Sequence, residues 1–347
     1  MSSNFQTPKE TWLSSDDLKN LTTQLITSST KRVLVQLPDG FLGEPVGLLS
    51  QAIKAAGAKP FFSGDPCYGA CDLAITSAEQ TKCDTLIHVG HSEWPYKPET
   101  VRSVNIIFIE ANSDRSLDTA ARIALEQISR LGWSRLGLCT TVQYLRHLES
   151  VKKILNDNDL VVQLTKSTSK VEMGQILGCE VSGAKAIENE VDGILCITPG
   201  RFHGVGLARK VKKPTLIVDP YSGEWDLLDD QTRMKYFKQR YAQIEVARTK
   251  SLWGVLYSTK TGQTRETQVE KIRELIETSQ KEAIVVVTQS FSPEHLMNFH
   301  LVEVWVNTAC PRINEDDAFR YNKPVLSILE ARVALGIDDW DSFVQSY

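Results

Sequence analysis

Three times along this chain the same order of segments returns: an apolar run rich in branched residues, a helix-patterned stretch, then further apolar runs. The first copy begins at Arg32-Val33-Leu34-Val35-Gln36-Leu37 and turns at Pro38-Asp39-Gly40. A helix pattern follows from about Pro45 to Ala56, closed by Gly57. The copy continues through Lys59-Pro60-Phe61-Phe62, Thr85-Leu86-Ile87-His88-Val89 and Val104-Asn105-Ile106-Ile107-Phe108-Ile109. The second copy runs through Leu136–Cys139, a helix to about Leu155, then Val161–Leu164, Gly193–Ile197 and Thr215–Val218. The third runs through Trp253–Tyr257, a helix from Glu266 to about Thr278, then Ala283–Val287, Val302–Val306 and Pro324–Ile328. Continuous apolar runs separated by helices indicate parallel strands buried on both faces. The expected fold is therefore α/β: three homologous repeats, each a small, mostly parallel sheet flanked by helices, arranged around a pseudo-threefold axis.

An acidic residue entering the third run of each copy sets the register: Asp84, Asp192 and Glu303, separated by 108 and 111 residues. Cys71 and Cys179 each precede that residue by 13 positions and share a slot. Cys310 instead lies 7 positions after Glu303, where the other copies carry His91 and Pro199. The expectation is that Cys310 uses the opposite end of its strand from the other two. Segments 112–130 and 223–249 read as connecting helices. The domain limits then fall near 115 and 225, giving repeats over 1–115, 116–225 and 226–347.

At 347 residues the chain exceeds what one core normally organises. Its net charge of −4, with no basic stripe, argues against a nucleic-acid partner. No stretch approaches the roughly 18 apolar residues of a membrane helix, and the start lacks a signal-peptide pattern, so a cytoplasmic location and no membrane partner are expected. Seven cysteines in a reducing compartment read as core thiols or metal ligands rather than disulfides. Cys83, Cys139 and Cys196, in or beside strands, read as packing thiols.

Cys71, Cys179 and Cys310, one per repeat and the first two in glycine-containing loops, could together hold one inorganic centre. The chain contains no Cys-x-x-Cys pair, which argues against an ordinary structural zinc site. Cys67 and Cys71 open a Cys-x-x-x-Cys spacing, but Ala74 stands where a third local cysteine would complete a common iron–sulfur motif. Thiolates are the usual ligands of such clusters, and three of them leave one iron of a four-iron cluster open. Gly69 and Gly178 beside the cysteines would let the backbone approach a bulky group. The plainer alternative is that all three thiols pack.

Three segments, Gly64-Asp65-Pro66-Cys67-Tyr68-Gly69-Ala70-Cys71-Asp72, Gln175-Ile176-Leu177-Gly178-Cys179 and Ala309-Cys310-Pro311-Arg312-Ile313, resemble the signatures of the 2-(3-amino-3-carboxypropyl)histidine synthases of diphthamide biosynthesis. Val35–Gly40, Gly200–His203 and Ser258–Gln263 support the likeness, which covers nearly the whole chain. The resemblance implies a [4Fe–4S] cluster on Cys71, Cys179 and Cys310, with S-adenosylmethionine at the open iron. It further implies radical transfer of the 3-amino-3-carboxypropyl group to a histidine of translation elongation factor 2, leaving methylthioadenosine. The chain's length resembles the archaeal single-gene form, implying a homodimer, and the chemistry requires an electron donor. Cys67 departs from the family's expected residue and is either a bystander or a substitute ligand.

Three residues are candidates for the S-adenosylmethionine site. Arg312 offers a planar bidentate partner for an amino-acid carboxylate, or else forms a salt bridge at the surface or between domains. Gln263, read as opening the helix after the first strand of the third copy, would meet the same carboxylate or simply cap the helix. His203, in a polar loop, lines the cavity or is merely exposed. Asp316 and Asp317 read as a solvated pair or a helix start. Two rival readings stand beside this one: an enzyme similar to quinolinate synthase, and a non-catalytic flavodoxin-like repeat protein.

Overall fold

The computed structural model describes residues 12–93, 104–167, 171–315 and 318–346; Asp316 and Asp317 lie outside them. The first sheet comprises β1 (Arg32–Gln36), β2 (Lys59–Phe62), β3 (Thr85–Val89) and β4 (Asn105–Ile109). The second has β5 (Arg135–Thr140), β6 (Val161–Leu164), β7 (Gly193–Ile197), β8 (Thr215–Val218) and β9 (Trp225–Leu228). The third has β10 (Leu252–Ser258), β11 (Glu282–Thr288), β12 (Val304–Asn307) and β13 (Val325–Ser327). Their orders are β2-β1-β3-β4, β6-β5-β7-β8-β9 and β11-β10-β12-β13. Apart from β9, each sheet is parallel and repeats one topology. In such a sheet the chain reverses its winding between the first and third strands, and a crevice opens past their carboxyl ends.

The sheets are covered on both faces. Val33 and Val35 of β1 pack with Leu49 and Ile53 of the helix Glu44–Ala55, while Leu34 between them packs with Ile75 and Ala78 on the other side. Trp253 and Val255 of β10 likewise meet Ile272 and Ile276 of the helix Glu266–Thr278, and Leu256 joins Leu296 and Ile313. Cys83, Cys139 and Cys196 are core residues, between 0% and 4% exposed.

The acidic residue that marks the repeat does the same work in all three sheets. Asp84 accepts the Lys31 N–H at 2.9 Å, Asp192 accepts those of Ser134 at 2.7 Å and Arg135 at 2.9 Å, and Glu303 accepts that of Ser251 at 2.9 Å. Each carboxylate therefore satisfies the free donors where the first strand enters its sheet. Those bonds hold the Asp192 and Glu303 carboxyls below the usual carboxylate range.

One element departs from expectation. Segment 223–249 is not helix throughout: β9 pairs antiparallel with β8, and the helix runs only over Asp230–Arg248. Asp229 makes the break by accepting the Thr232 N–H at 3.0 Å as an N-cap. Four residues of Trp225–Leu228 are too few for periodicity to tell strand from helix.

Candidate metal centre

Cys71 lies between β2 and the helix Ile75–Gln80, Cys179 between β6 and the helix Ser182–Ile187, and Cys310 just past β12. The slots differ, as the register indicates, but the three thiols are not at opposite ends of their sheets. The loops bearing Cys71 and Cys179 follow the carboxyl ends of their edge strands and lie over the same crevice that Cys310 enters from β12. All three thiols line both an open cleft of about 1120 Å3 and a smaller chamber of about 120 Å3. They stand at the junction of the two.

Burial pushes the Cys310 thiol up to about 12, and the neighbouring Cys71 adds to it. Cys179 opens onto the cleft, yet the protein around its sulfur pushes it up to about 11, again with Cys71 contributing. Burial also raises Cys71, against a hydrogen bond from Gln263. Three desolvated sulfurs that repel one another as thiolates form a site that a cation stabilises. The all-thiolate donor set suits an iron–sulfur cluster. The residues present fit that group.

A turn of the third sheet grips the Cys71 loop. The Gly262 N–H donates to the Cys71 carbonyl at 2.8 Å, and a Cβ at Gly262 would come within 2.6 Å of the Cys71 Cα. Lys260 forms an ion pair with Asp72, and its ammonium stands 4.5 Å over the Tyr68 ring. Gln263, 5% exposed, donates its amide to Cys71 Sγ at 3.4 Å. It lies in this turn, three residues before the helix starts at Glu266, so it neither opens nor caps that helix.

Gln263 faces the cleft, whereas Arg312 and His203 line the chamber. Gln263 and Arg312 thus approach the three-cysteine junction from different cavities. The Arg312 guanidinium stacks 4.0 Å over the Phe202 ring and lies 5.8 Å from that of Tyr68. His203 is not in a loop; it belongs to the first turn of the helix Phe202–Lys210. Burial, then the charges of His91 and Arg312, lowers His203 to about 4, so its imidazole is neutral at pH 7. Gly178 makes room for Phe202, which a Cβ there would approach to 2.5 Å, rather than for an inorganic group. Gly69 does border the centre: a Cβ there would lie 3.9 Å from both Cys71 Sγ and His91 Nε2. Cys67 lines neither cavity.

The sequence reading assigned no role to Lys260, Asp72, Tyr68, Phe202 or His91. The first four sit inside the motif segments and His91 does not, but the contacts of Lys260 with Asp72 and Tyr68, and of Phe202 with Arg312, form only after the three sheets come together. A usable signal was the polar residue inside an apolar strand, as at Gln36 and His88, which are 2% and 0% exposed.

Comparison with known proteins agrees with this geometry. The family model for diphthamide synthesis proteins matches residues 37–344. A 2-(3-amino-3-carboxypropyl)histidine synthase from Pyrococcus horikoshii is 33% identical over 308 residues, covering 88% of this chain and 86% of that protein. Subunit 1 of the enzyme of the same name from Schizosaccharomyces pombe is 27% identical, covering 89% of this chain and 71% of its own. The crystal structure of Dph2 from Pyrococcus horikoshii with a 4Fe-4S cluster superposes with a TM-score of 0.81 at 31% identity, covering 93% of this chain and 91% of that one.

Proposed function

Because the chain belongs to the diphthamide synthesis protein family, we propose that it transfers the 3-amino-3-carboxypropyl group of S-adenosylmethionine to a histidine of translation elongation factor 2. Methylthioadenosine is the other product. The observation that carries this reading is the meeting of three thiols, one from each sheet, at one junction between two cavities. A [4Fe–4S] cluster held there by Cys71, Cys179 and Cys310 supplies, when bound, an iron open to S-adenosylmethionine and the electron for radical cleavage. Gln263 hydrogen-bonds the Cys71 sulfur and adjusts the centre from the cleft side.

The chamber takes the amino-acid end of S-adenosylmethionine. Arg312, held flat by Phe202, binds the carboxylate through two parallel N–H donors. His203 lines the same chamber as a neutral imidazole. The cleft admits the histidine-bearing segment of the protein substrate. We read the three sheets as three repeats over 1–115, 116–225 and 226–347 around a pseudo-threefold axis, in a homodimer served by an electron-donor protein. No helix among the described residues is long and apolar enough to cross a membrane. A cytoplasmic location is part of the same proposal, because the proposed substrate belongs to the translation machinery.

The test is anaerobic purification with iron and sulfide analysis. The protein should be brown with about four irons per chain, and Cys71→Ala, Cys179→Ala and Cys310→Ala should each remove the colour while Cys67→Ala does not. With dithionite, S-adenosylmethionine and elongation factor 2, methylthioadenosine should form. A colourless protein after reconstitution overturns the cluster. Quinolinate formation from iminoaspartate and dihydroxyacetone phosphate overturns the transferase.

A further inference from the structure

The first repeat carries a second group of metal-ligating side chains to which the proposed transfer assigns no role, although His91 also borders the chamber. Cys67, His88 and His91 each bring a ligand atom within 4.8 Å of the other two. They come from two pieces of chain: Cys67 from the loop after β2, and His88 and His91 from β3 and the residues just beyond it. The group is peculiar to this repeat, since the position of His91 is Pro199 in the second copy and Cys310 in the third.

Hydrogen bonds fix which nitrogens are available. Gln36 Nε2 donates to the Asp72 carbonyl at 2.7 Å, which leaves Gln36 Oε1 pointing the other way. That oxygen accepts the Ala74 N–H at 3.1 Å and lies 2.9 Å from His88 Nδ1. An amide oxygen only accepts, so His88 carries its proton on Nδ1 and a lone pair on Nε2. His88 Nε2 stands 3.0 Å from His91 Nδ1, which therefore donates to it. An imidazole whose outer N–H is pinned by an amide oxygen, leaving the lone pair of its other nitrogen on the side of a second imidazole and within 4.8 Å of a thiol, is held as a metal-binding histidine is.

We infer that Cys67, His88 and His91 bind one zinc-class divalent cation, separate from the three-cysteine centre. One thiolate and two imidazoles form a borderline donor set suited to Zn²⁺, with water as the fourth ligand. At zinc bond lengths of about 2.0–2.3 Å, tetrahedral ligand atoms stand roughly 3.3–3.7 Å apart, so this group closes on the ion with shifts of about 1 Å. Binding replaces the His88–His91 hydrogen bond: the Cys67 thiol proton leaves to solvent and the His91 proton moves from Nδ1 to Nε2. No electron is exchanged. The ion would fasten the loop that presents Cys71, four residues on, to the end of β3.

The test uses the full chain with Cys71, Cys179 and Cys310 all changed to serine, stripped with chelator and titrated anaerobically with Co²⁺ and then Zn²⁺. One cobalt per chain is expected, with a thiolate-to-cobalt charge-transfer band and tetrahedral d–d bands that zinc abolishes. Adding Cys67→Ser should remove the charge-transfer band. Gln36→Leu, which leaves the ligands in place, should weaken zinc binding by about 10- to 100-fold. If the triple-serine chain fails to fold by circular dichroism, the cluster-loaded wild type decides: it should retain about one zinc by elemental analysis, and its Cys67→Ser variant none. Absence of stoichiometric metal in the folded protein, or binding indifferent to Cys67→Ser, overturns the inference.

Discussion

Gly262 donates its backbone N–H to the carbonyl of Cys71 at 2.8 Å, tying the turn after β10 to the cysteine loop of the first sheet. A methyl group at Gly262 would fall 2.6 Å from the Cys71 Cα and 2.7 Å from its carbonyl oxygen, and backbone cannot step aside as a side-chain tip can. Gly262→Ala should therefore cost about 1–3 kcal/mol, as overpacking does, and lower the iron retained after anaerobic purification. Gly40→Ala is the control, because nothing lies within 4 Å of its added methyl. Urea midpoints and iron content check both; equal behaviour of the two variants would show that the turn does not grip the loop.

The same contact carries a charge pair. The side chains of Lys260 and Asp72 are only 12% and 10% exposed. Burial raises the Asp72 carboxyl, and the Lys260 ammonium pulls it back down. Lys260→Met strands a desolvated carboxylate and should cost about 3–5 kcal/mol, whereas Asp72→Asn added to it should restore part of the loss. A double-mutant cycle by chemical denaturation measures the coupling. Independent, additive losses would mean that the pair is not a structural unit.

Such contacts also mark where sequence reading stops. The three-copy topology was legible because buried parallel strands need long apolar runs, and because each repeat needs a carboxylate where Asp84, Asp192 and Glu303 stand. That Cys71, Cys179 and Cys310 belong together was suggested by their motifs, and the three line the same two cavities. Their common side of the sheets was not legible, since distance along the chain from Asp84 to Cys71 says nothing about which way a loop folds back. That Gln263 lines the cleft and Arg312 the chamber was hidden for the same reason: only packing among three sheets brings Gln263 to Cys71, 192 residues away in sequence. His203 was misplaced because Gly200-Arg201-Phe202-His203-Gly204 has the glycine content of a loop, although Gly204 is there to let the helix approach Ile217, 2.5 Å from its would-be Cβ.

Acid should weaken the fold in a defined window. His203 is held at about 4 against an ordinary 6.5, by burial first and then by His91 and Arg312. Above pH 6.5 it is neutral in both folded and unfolded chains and contributes nothing to the slope. Between 6.5 and about 4 the unfolded chain takes a proton that the folded one refuses, so stability falls as pH drops, by at most about 1.4 kcal/mol per pH unit for one such group. The urea midpoint of metal-free protein should decline from pH 7 to pH 5, and His203→Asn should decline less steeply. Parallel slopes would mean that His203 titrates normally in the folded chain.

Arg312→Lys separates charge from geometry. Lysine keeps the positive charge but offers no parallel pair of donors to a carboxylate and no flat face for Phe202, over which the guanidinium lies at 4.0 Å. Hydrogen bonds to a charged group are worth about 1.5–3 kcal/mol, so losing the bidentate grip should raise the S-adenosylmethionine Kd by about 10- to 100-fold. Equilibrium dialysis against the cluster-loaded protein measures it. Iron content should stay at the wild-type level, because Cys310, two residues away, still supplies its sulfur. Gln263→Leu should behave in the opposite way: it removes the donor to Cys71 Sγ and should lower the cluster's reduction potential while leaving the Kd near its wild-type value. If Arg312→Lys loses iron in step with affinity, Arg312 serves to brace the Cys310 loop instead, and the carboxylate must be held from elsewhere in the chamber.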